Sequence, residues 1–443
     1  MKFKFVLFFL ILISETIFSQ NGFQFSNSKN KITIPFDLFN NLILIPVEIN
    51  GVKLSFLLDS GVEETILFSL DETDEIKFDK IEKITIKGFG SNEPVIAYKS
   101  VKNEIKIRDY VDSSQTIYLV LDQNINISSQ LGVAVNGIIG FNFFKNNLIK
   151  INYETKKITI FRNDTKQIKK IKNSYETLPL TFISNKPYVE TKVSFENSKD
   201  QMKTTLLIDT GNTDAIWLFA RNNNTIKIPN NAIDDYLGKG FSGDVFGKRG
   251  TISSFQIGNS KLDKPLIAFP DSTGINDLDI NSVRLGSIGA EVIKRFTIFF
   301  DYKNRAIYLK KNSNFNNQFN FNMSGIDIEH QGLQWISESY EDNPAFANNL
   351  FSSDGEKITN NLKYKFILKP VYVISNLRLN CPGVLSGLKK GDLLLKINHR
   401  KSYNYTLQEL NDLLKSEDGK TIDLEVERNN KVLTFTFQLK NIL

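Results

Sequence analysis

Short runs of alternating apolar and polar residues fill most of this chain, the pattern of strands with one buried face. From Ile32 to Arg162 the runs are built of Ile, Val, Leu, Phe and Thr and are broken by Gly, Asn and Asp. Leu42–Ile49, the pair Asn50-Gly51 and then Val52–Leu58 predict a hairpin with a two-residue turn. A looser copy follows: Tyr188 to Phe195, a polar turn near Asn197 to Asp200, and Met202–Ile208. Helical spacing is scarce in this part, with one short helix expected after Gly140 and another after Gly289.

The pattern repeats as a whole. Gly88-Phe89-Gly90 recurs as Gly238-Lys239-Gly240, and Gly137-Ile138-Ile139-Gly140 as Gly286-Ser287-Ile288-Gly289. Tyr153 to Ile160 recurs as Tyr302 to Leu309. The offset stays at 149–150 residues across these landmarks, too long for a solenoid unit and right for two complete lobes. The basic run Lys166 to Lys172 falls between the copies and reads as a solvated linker. Asn312 to Asn322 is asparagine-rich and reads as a linker or exposed loop.

Beyond residue 360 the pattern changes to mixed α and β. Strands are expected at Tyr364 to Leu368, Val371 to Ser375, Leu393–Ile397, Thr421 to Glu427 and Lys431 to Leu439. Thr406-Leu407-Gln408-Glu409 is a capping box, and the helix it opens carries Leu407, Leu410, Leu413 and Leu414 on one side.

Composition narrows the classes. With 443 residues the chain can hold two or three cored domains, and 41% hydrophobic with 23% charged residues is ordinary for a globular protein. The formal charge of +6 is small and dispersed, which argues against nucleic acid as a partner. Lys2 and Lys4 precede nine apolar residues, Phe5 to Ile13, and Ser14 to Ser19 resemble a cleavage region, so residues 1–19 are expected to be an export signal. The apolar run is short for a bilayer span, and the expected location is periplasmic or extracellular with no stable span once the signal is removed. Only Gln20 to Lys31 separate it from the first lobe, so no long inhibitory propeptide is expected. Cys381 is the single cysteine, leaving no internal disulfide and reading as a small packed residue. His330 and His399 lie in unrelated contexts, which disfavours zinc or Ser-His-Asp chemistry.

The candidate chemistry sits where the repeat is most regular. Asp59-Ser60-Gly61 and Asp209-Thr210-Gly211 each end an apolar run, 150 residues apart. An aspartate leaving a buried strand is costly to place unless it is used. Two equivalent copies could bring two carboxylates face to face, although each could also be a capped turn. Carboxyls about 3 Å apart cannot both ionise cheaply, so they share one proton. The ionised member can then activate water while the protonated one donates to a carbonyl oxygen, with no cofactor or metal required.

With these motifs in place, residues 40–310 resemble a single-chain, two-lobed aspartic protease of the pepsin or retropepsin type. The resemblance implies Asp59 and Asp209 as the catalytic pair, with Ser60, Gly61, Thr210 and Gly211 supporting the catalytic loops. It implies flaps at Gly88-Phe89-Gly90 and at Gly238, Gly240 and Phe241, one or both working, over a peptide or protein substrate. Val62 and Asn212 depart from the pepsin pattern, which has a hydroxyl residue there; Glu63, Glu64, Thr213 and Asp214 are candidate substrate contacts or solvated rim residues. Residues 360–443 resemble a bacterial-type PDZ domain on Cys381-Pro382-Gly383 and Ser386-Gly387-Leu388-Lys389-Lys390-Gly391-Asp392. That resemblance implies a peptide ligand added to a sheet edge beside the helix Thr406 to Lys415, with Lys363 to Leu368 as the expected edge strand. The expected architecture is therefore mainly β: two homologous β-barrel-like lobes forming one cleft, then a small α/β PDZ domain. The expected segments are lobe one at 20–165, lobe two at 166–312, a connecting segment at 313–358 and the PDZ domain at 359–443. Two functions fit: an exported aspartic endopeptidase, or an inactive peptide-binding protein that keeps the cleft.

Overall fold

Asn50 and Gly51 both take positive φ, 47° and 92°, which joins Leu42–Ile49 to Val52–Leu58 in the tight turn the sequence calls for. In this computed structural model the described residues are 22–443 without 71–74, 87–94, 121–125, 163–164, 197–200, 221–225, 241–242, 272–283 and 342–361. The export-signal stretch 1–19, the tip Gly88, Phe89 and Gly90, and Phe241 therefore lie outside the described residues.

The chain is mainly β. Each lobe is built on a large sheet of the same order at its centre. In the first, Val52–Leu58 lies between its hairpin partner Leu42–Ile49 and the short strand Gly137–Ile139, which runs parallel to it. In the second, Met202–Ile208 lies between Lys186–Ser194 and Gly286–Ile288 in the same way. The short helices follow at Phe141–Phe144 and Ala290–Ile293.

A third sheet of six strands joins the lobes. Hairpins Leu148–Asn152/Lys157–Phe161 and Phe296–Asp301/Ala306–Lys311 meet antiparallel at Ile149 and Phe300. Lys31–Pro35 and Glu176–Pro179 flank them as the outer strands. Above this sheet a single apolar core runs through both lobes, with Phe56, Phe144, Phe300 and Ile307 sealed from solvent. Each such side chain contributes about 1.5–3 kcal/mol of burial, which fixes the lobes against each other without disulfides.

Two linker expectations are corrected. Lys166 to Lys172 belongs to the helix Thr165–Lys172, because Ile168 and Ile171 recur on one face and pack against Leu148, Phe299 and Tyr308. The stretch 313–358 is not simply a connection. Its first part is pinned by buried Arg295, which donates to the carbonyls of Phe315, Asn317 and Gln318 and lies over the Phe319 ring. It then enters the strand Ile326–Glu341, which belongs to the C-terminal sheet.

That sheet has Ile326–Glu341 at one end, then Leu362–Leu377, Leu393–Ile397, Thr421–Arg428 and Lys431–Gln438. Leu362–Leu377 is one long strand where two were expected, bonded to Ile326–Glu341 along its length. The helix Leu407–Leu414 has the capping box in place, Glu409 N–H donating to Thr406 Oγ1 and Thr406 N–H to Glu409 Oε2. Leu407, Leu410 and Leu414 face Ile374, Ile397 and Leu424 in the core. Cys381 is buried and its Sγ accepts from Val384 N–H. Among the described residues no helix is long and apolar enough to cross a membrane.

Candidate active site

Each aspartate sits where its strand stops pairing with its own hairpin and meets the short parallel strand. Asp59 N–H donates to Ile139 O at 3.0 Å and Asp209 N–H to Ile288 O at 2.9 Å. The chain must then pass directly beneath the loop, and only glycine fits. A Cβ at Gly140 would lie 2.0 Å from Val62 O, and one at Gly289 2.1 Å from Asp214 O.

The two loops lock together through their hydroxyls. Ser60 N–H donates to Thr210 Oγ1 at 2.9 Å, and Thr210 N–H to Ser60 Oγ at 3.1 Å. Ser60 Oγ in turn donates to Ile208 O at 2.7 Å, and Thr210 Oγ1 to Leu58 O at 2.8 Å. Both side chains are buried, so each lost hydroxyl strands a partner. The double substitution Ser60→Ala, Thr210→Val is expected to cost about 2–4 kcal/mol, read as a lower denaturation midpoint than either single variant.

This lock places the carboxyl groups of Asp59 and Asp209 in hydrogen-bonding contact. Gly61 N–H donates to Asp59 Oδ1 at 2.7 Å and Gly211 N–H to Asp209 Oδ1 at 3.1 Å, which orients both groups. A Cβ at Gly211 would stand 2.1 Å from Asp59 Oδ2, and one at Gly61 2.8 Å from Asp209 Oδ1. Burial, followed by the charge of Asp209, pushes Asp59 up to about 8. Burial raises Asp209 as well, with the Arg284 charge and then the hydrogen bond from Asp59 pulling it back. Burial thus raises both carboxyls, Asp59 the more clearly, so the two favour sharing one proton and the titration belongs to the pair.

Other residues singled out in the sequence have different tasks. Asp214 does not wait at a substrate rim: its carboxylate accepts from Trp217 Nε1 at 2.7 Å and pairs with Arg249 at 2.8 Å. Arg249 also binds Asp235, which reaches Arg378 of the C-terminal module, so this loop is tied by charge to that module. Glu63 accepts from Asn185 Nδ2 and Thr213 O from Asn41 Nδ2, two inter-lobe contacts in equivalent places. Asn212 Nδ2 donates to Ser287 Oγ, and Val62 packs into the apolar cluster of lobe one. Gly238 and Gly240 lie on the hairpin Ile233–Gly240/Gly243–Thr251, the counterpart of Ile81–Ile86/Val95–Ile107. Among the described residues no group of three or more His, Cys, Asp or Glu could hold a metal ion.

Sequence reasoning missed Arg284 and Lys186, whose charges act on the dyad, and Tyr188, which feels the charges of Asp209 and Arg284. Residue-by-residue alignment of the two copies was the signal that could have found them.

The groove of the C-terminal module is also relocated. Lys363 to Leu368 is hydrogen-bonded to Tyr340 through Trp335, so the terminal strand is Ile326–Glu341. The expected edge was wrong because this strand lay in the segment taken for a connection. A cavity of about 1320 Å³ lies between this module and lobe one, lined by His330, Leu333, Tyr372 and Leu407 on one side and by Phe68 and Leu131 on the other, and neither Asp59 nor Asp209 lines it.

Two protein-family models match separate stretches of the chain. Residues 45–143 match the aspartyl protease family model, and residues 341–439 match the PDZ domain model. Among solved structures the chain is similar to an aspartic proteinase from Irpex lacteus at 13% identity, with a TM-score of 0.41 over 65% of this chain and 98% of that one. No curated protein matches the chain. The chain is therefore similar to aspartyl proteases over residues 45–143 and to PDZ domains over residues 341–439.

Proposed function

We propose that this protein is an aspartic endopeptidase that hydrolyses peptide bonds with a water activated by Asp59 and Asp209. The observation that carries this reading is the close approach of the two buried carboxyl groups, each standing against the motif glycine of the opposite loop, where burial favours one shared proton. Asp209 takes a proton from water as the water oxygen attacks the scissile carbonyl carbon, and Asp59 gives its proton to the carbonyl oxygen. The tetrahedral diol then collapses: Asp209 passes its proton to the amide nitrogen, the C–N bond breaks, and one diol hydroxyl returns a proton to Asp59. The dyad ends as it began, with one water consumed.

In the same reading the PDZ groove docks a substrate or partner peptide along Ile326–Glu341 beside Leu407–Leu414. The charged, then apolar, N-terminus supports export to the periplasm or beyond, which N-terminal sequencing of the mature chain tests.

The direct test incubates the protein with an unfolded peptide pool in ¹⁸O-water between roughly pH 3 and 9. New C-termini carrying one heavy oxygen, suppressed by pepstatin, are the expected result. A pool left intact at every pH overturns the proposal in favour of a cleft that binds without cutting.

A further inference from the structure

The two halves of the cleft are equivalent in backbone and opposite in chemistry. Strand alternation puts Leu57 on the same face as Asp59, and Leu207 on the same face as Asp209. Register then identifies the neighbours on those faces. In lobe one Leu57 stands opposite Leu44 and Ile138, and Ile138 opposite Ile66. In lobe two Leu207 stands opposite Tyr188 and Ser287, and Ser287 opposite Trp217. One step further out, Leu42 pairs with Phe39 as Lys186 pairs with Ile183.

The approach to the short strand obeys the same correspondence. Phe68 N–H donates to Asn136 O, and Phe219 N–H to Leu285 O. Val135 therefore corresponds to Arg284. Leu42, Leu44, Val135 and Ile138 of lobe one are replaced by Lys186, Tyr188, Arg284 and Ser287 of lobe two.

The lobe-one set forms a buried apolar cluster in which Leu42, Leu44, Leu57, Ile66 and Ile138 keep 5–8% exposure and Val135 none. In lobe two the Arg284 guanidinium lies over the Phe219 ring at 5.3 Å, and its charge acts on Asp209, Asp59 and Tyr188. The Lys186 charge likewise acts on both aspartates. Lobe two thus supplies two cations whose charges reach the dyad, and the matching places in lobe one supply none.

Resting on the peptide-cleaving site proposed above, we infer that this cleft selects peptides with an acidic side chain on one flank of the scissile bond and an apolar one on the other. A chain lying across the pseudo-twofold axis presents its two flanks to different lobes. The lobe-two half offers Lys186 and Arg284 to a carboxylate, a charge-assisted contact in a partly dehydrated wall. The lobe-one half offers only hydrocarbon, where an unpaired carboxylate would be left without a partner.

Binding tests this without requiring turnover. Octapeptide pools that differ only in Glu or Gln at each position are titrated against the full chain carrying Asp59→Asn. The expected result is at least tenfold tighter binding for Glu than for Gln at one position, shrinking as salt is raised from 0.05 to 0.5 M, as an ionic contact requires. Adding Lys186→Leu and Arg284→Val, the lobe-one residues at those places, is expected to erase the ratio. If that variant does not fold, Lys186→Gln alone is expected to reduce it. Equal binding of Glu and Gln pools by Asp59→Asn, or a ratio unchanged by the substitutions in a folded variant, overturns the selectivity. Retained Glu-selective binding with no dyad-dependent hydrolysis by the unsubstituted chain overturns only the proposed cleavage.

Discussion

Asp59→Asn is expected to lower peptide hydrolysis by at least about 10³-fold, the scale of losing a positioned acid–base partner, while leaving the fold intact. An amide side chain can still sit between Gly61 N–H and Asp209, yet it cannot pass a proton to the scissile carbonyl oxygen. Stability should move in the opposite direction in alkaline solution. The Asp59 pKa is raised in the folded chain, so the contribution of the dyad is fully present below the ordinary aspartate range and is lost as pH rises through about 8. Ionising the second carboxyl in this buried site therefore destabilises the native protein above that pH. Asn escapes the penalty: melting midpoints at pH 6 and pH 9 should converge for Asp59→Asn and diverge by about 4–8 °C for the unsubstituted chain, equivalent to about 2 kcal/mol. Activity should fall over the same alkaline window, since the general acid is then empty. A variant that retains a tenth of the hydrolysis rate would remove Asp59 from the mechanism.

The second large effect is expected at Arg249, which the proposed chemistry does not touch. Its guanidinium lies between Asp214 and Asp235, all three largely removed from solvent. Arg249→Met would leave two buried carboxylates without their main partner, at a cost of about 3–5 kcal/mol. Two further consequences distinguish this from a general core defect. Adding Asp235→Asn should recover part of the loss, because one of the stranded charges is then gone. The PDZ module should also loosen, since Asp235 joins Arg249 to Arg378, and burial together with the Asp235 charge already lifts neighbouring Asp327 to about 7. Limited proteolysis between the lobes and the C-terminal module reads this directly; a variant as stable and as resistant as the parent would show that the ion pairs offset only their own desolvation.

Much of the site was legible from spacing. The tripeptides at 59–61 and 209–211, the Gly140 and Gly289 positions and the hairpin at Asn50-Gly51 are local demands of backbone and motif, and a regular offset exposes them. The errors arose where partners are remote. The helix at Thr165–Lys172 looked like a charged linker because its two isoleucines become apolar contacts only against Leu148 and Phe299. Ile326–Glu341 looked like connection because twenty residues separate its end from the start of its pairing partner. Asp214 looked like a rim charge because Arg249, 35 residues away, cannot be assigned to it by spacing.

By itself the amino-acid order determined the duplicated β plan, the two acids that belong together and the presence of a separate C-terminal module, since each is written in periodicity and in residues that allow few backbone conformations. Tertiary structure alone decided that the two acids share a buried proton, where the cations stand and which strand ends the C-terminal sheet. Those properties depend on burial and on charges brought together from distant parts of the chain, and electrostatic energy is set by distance in space and by the surrounding dielectric.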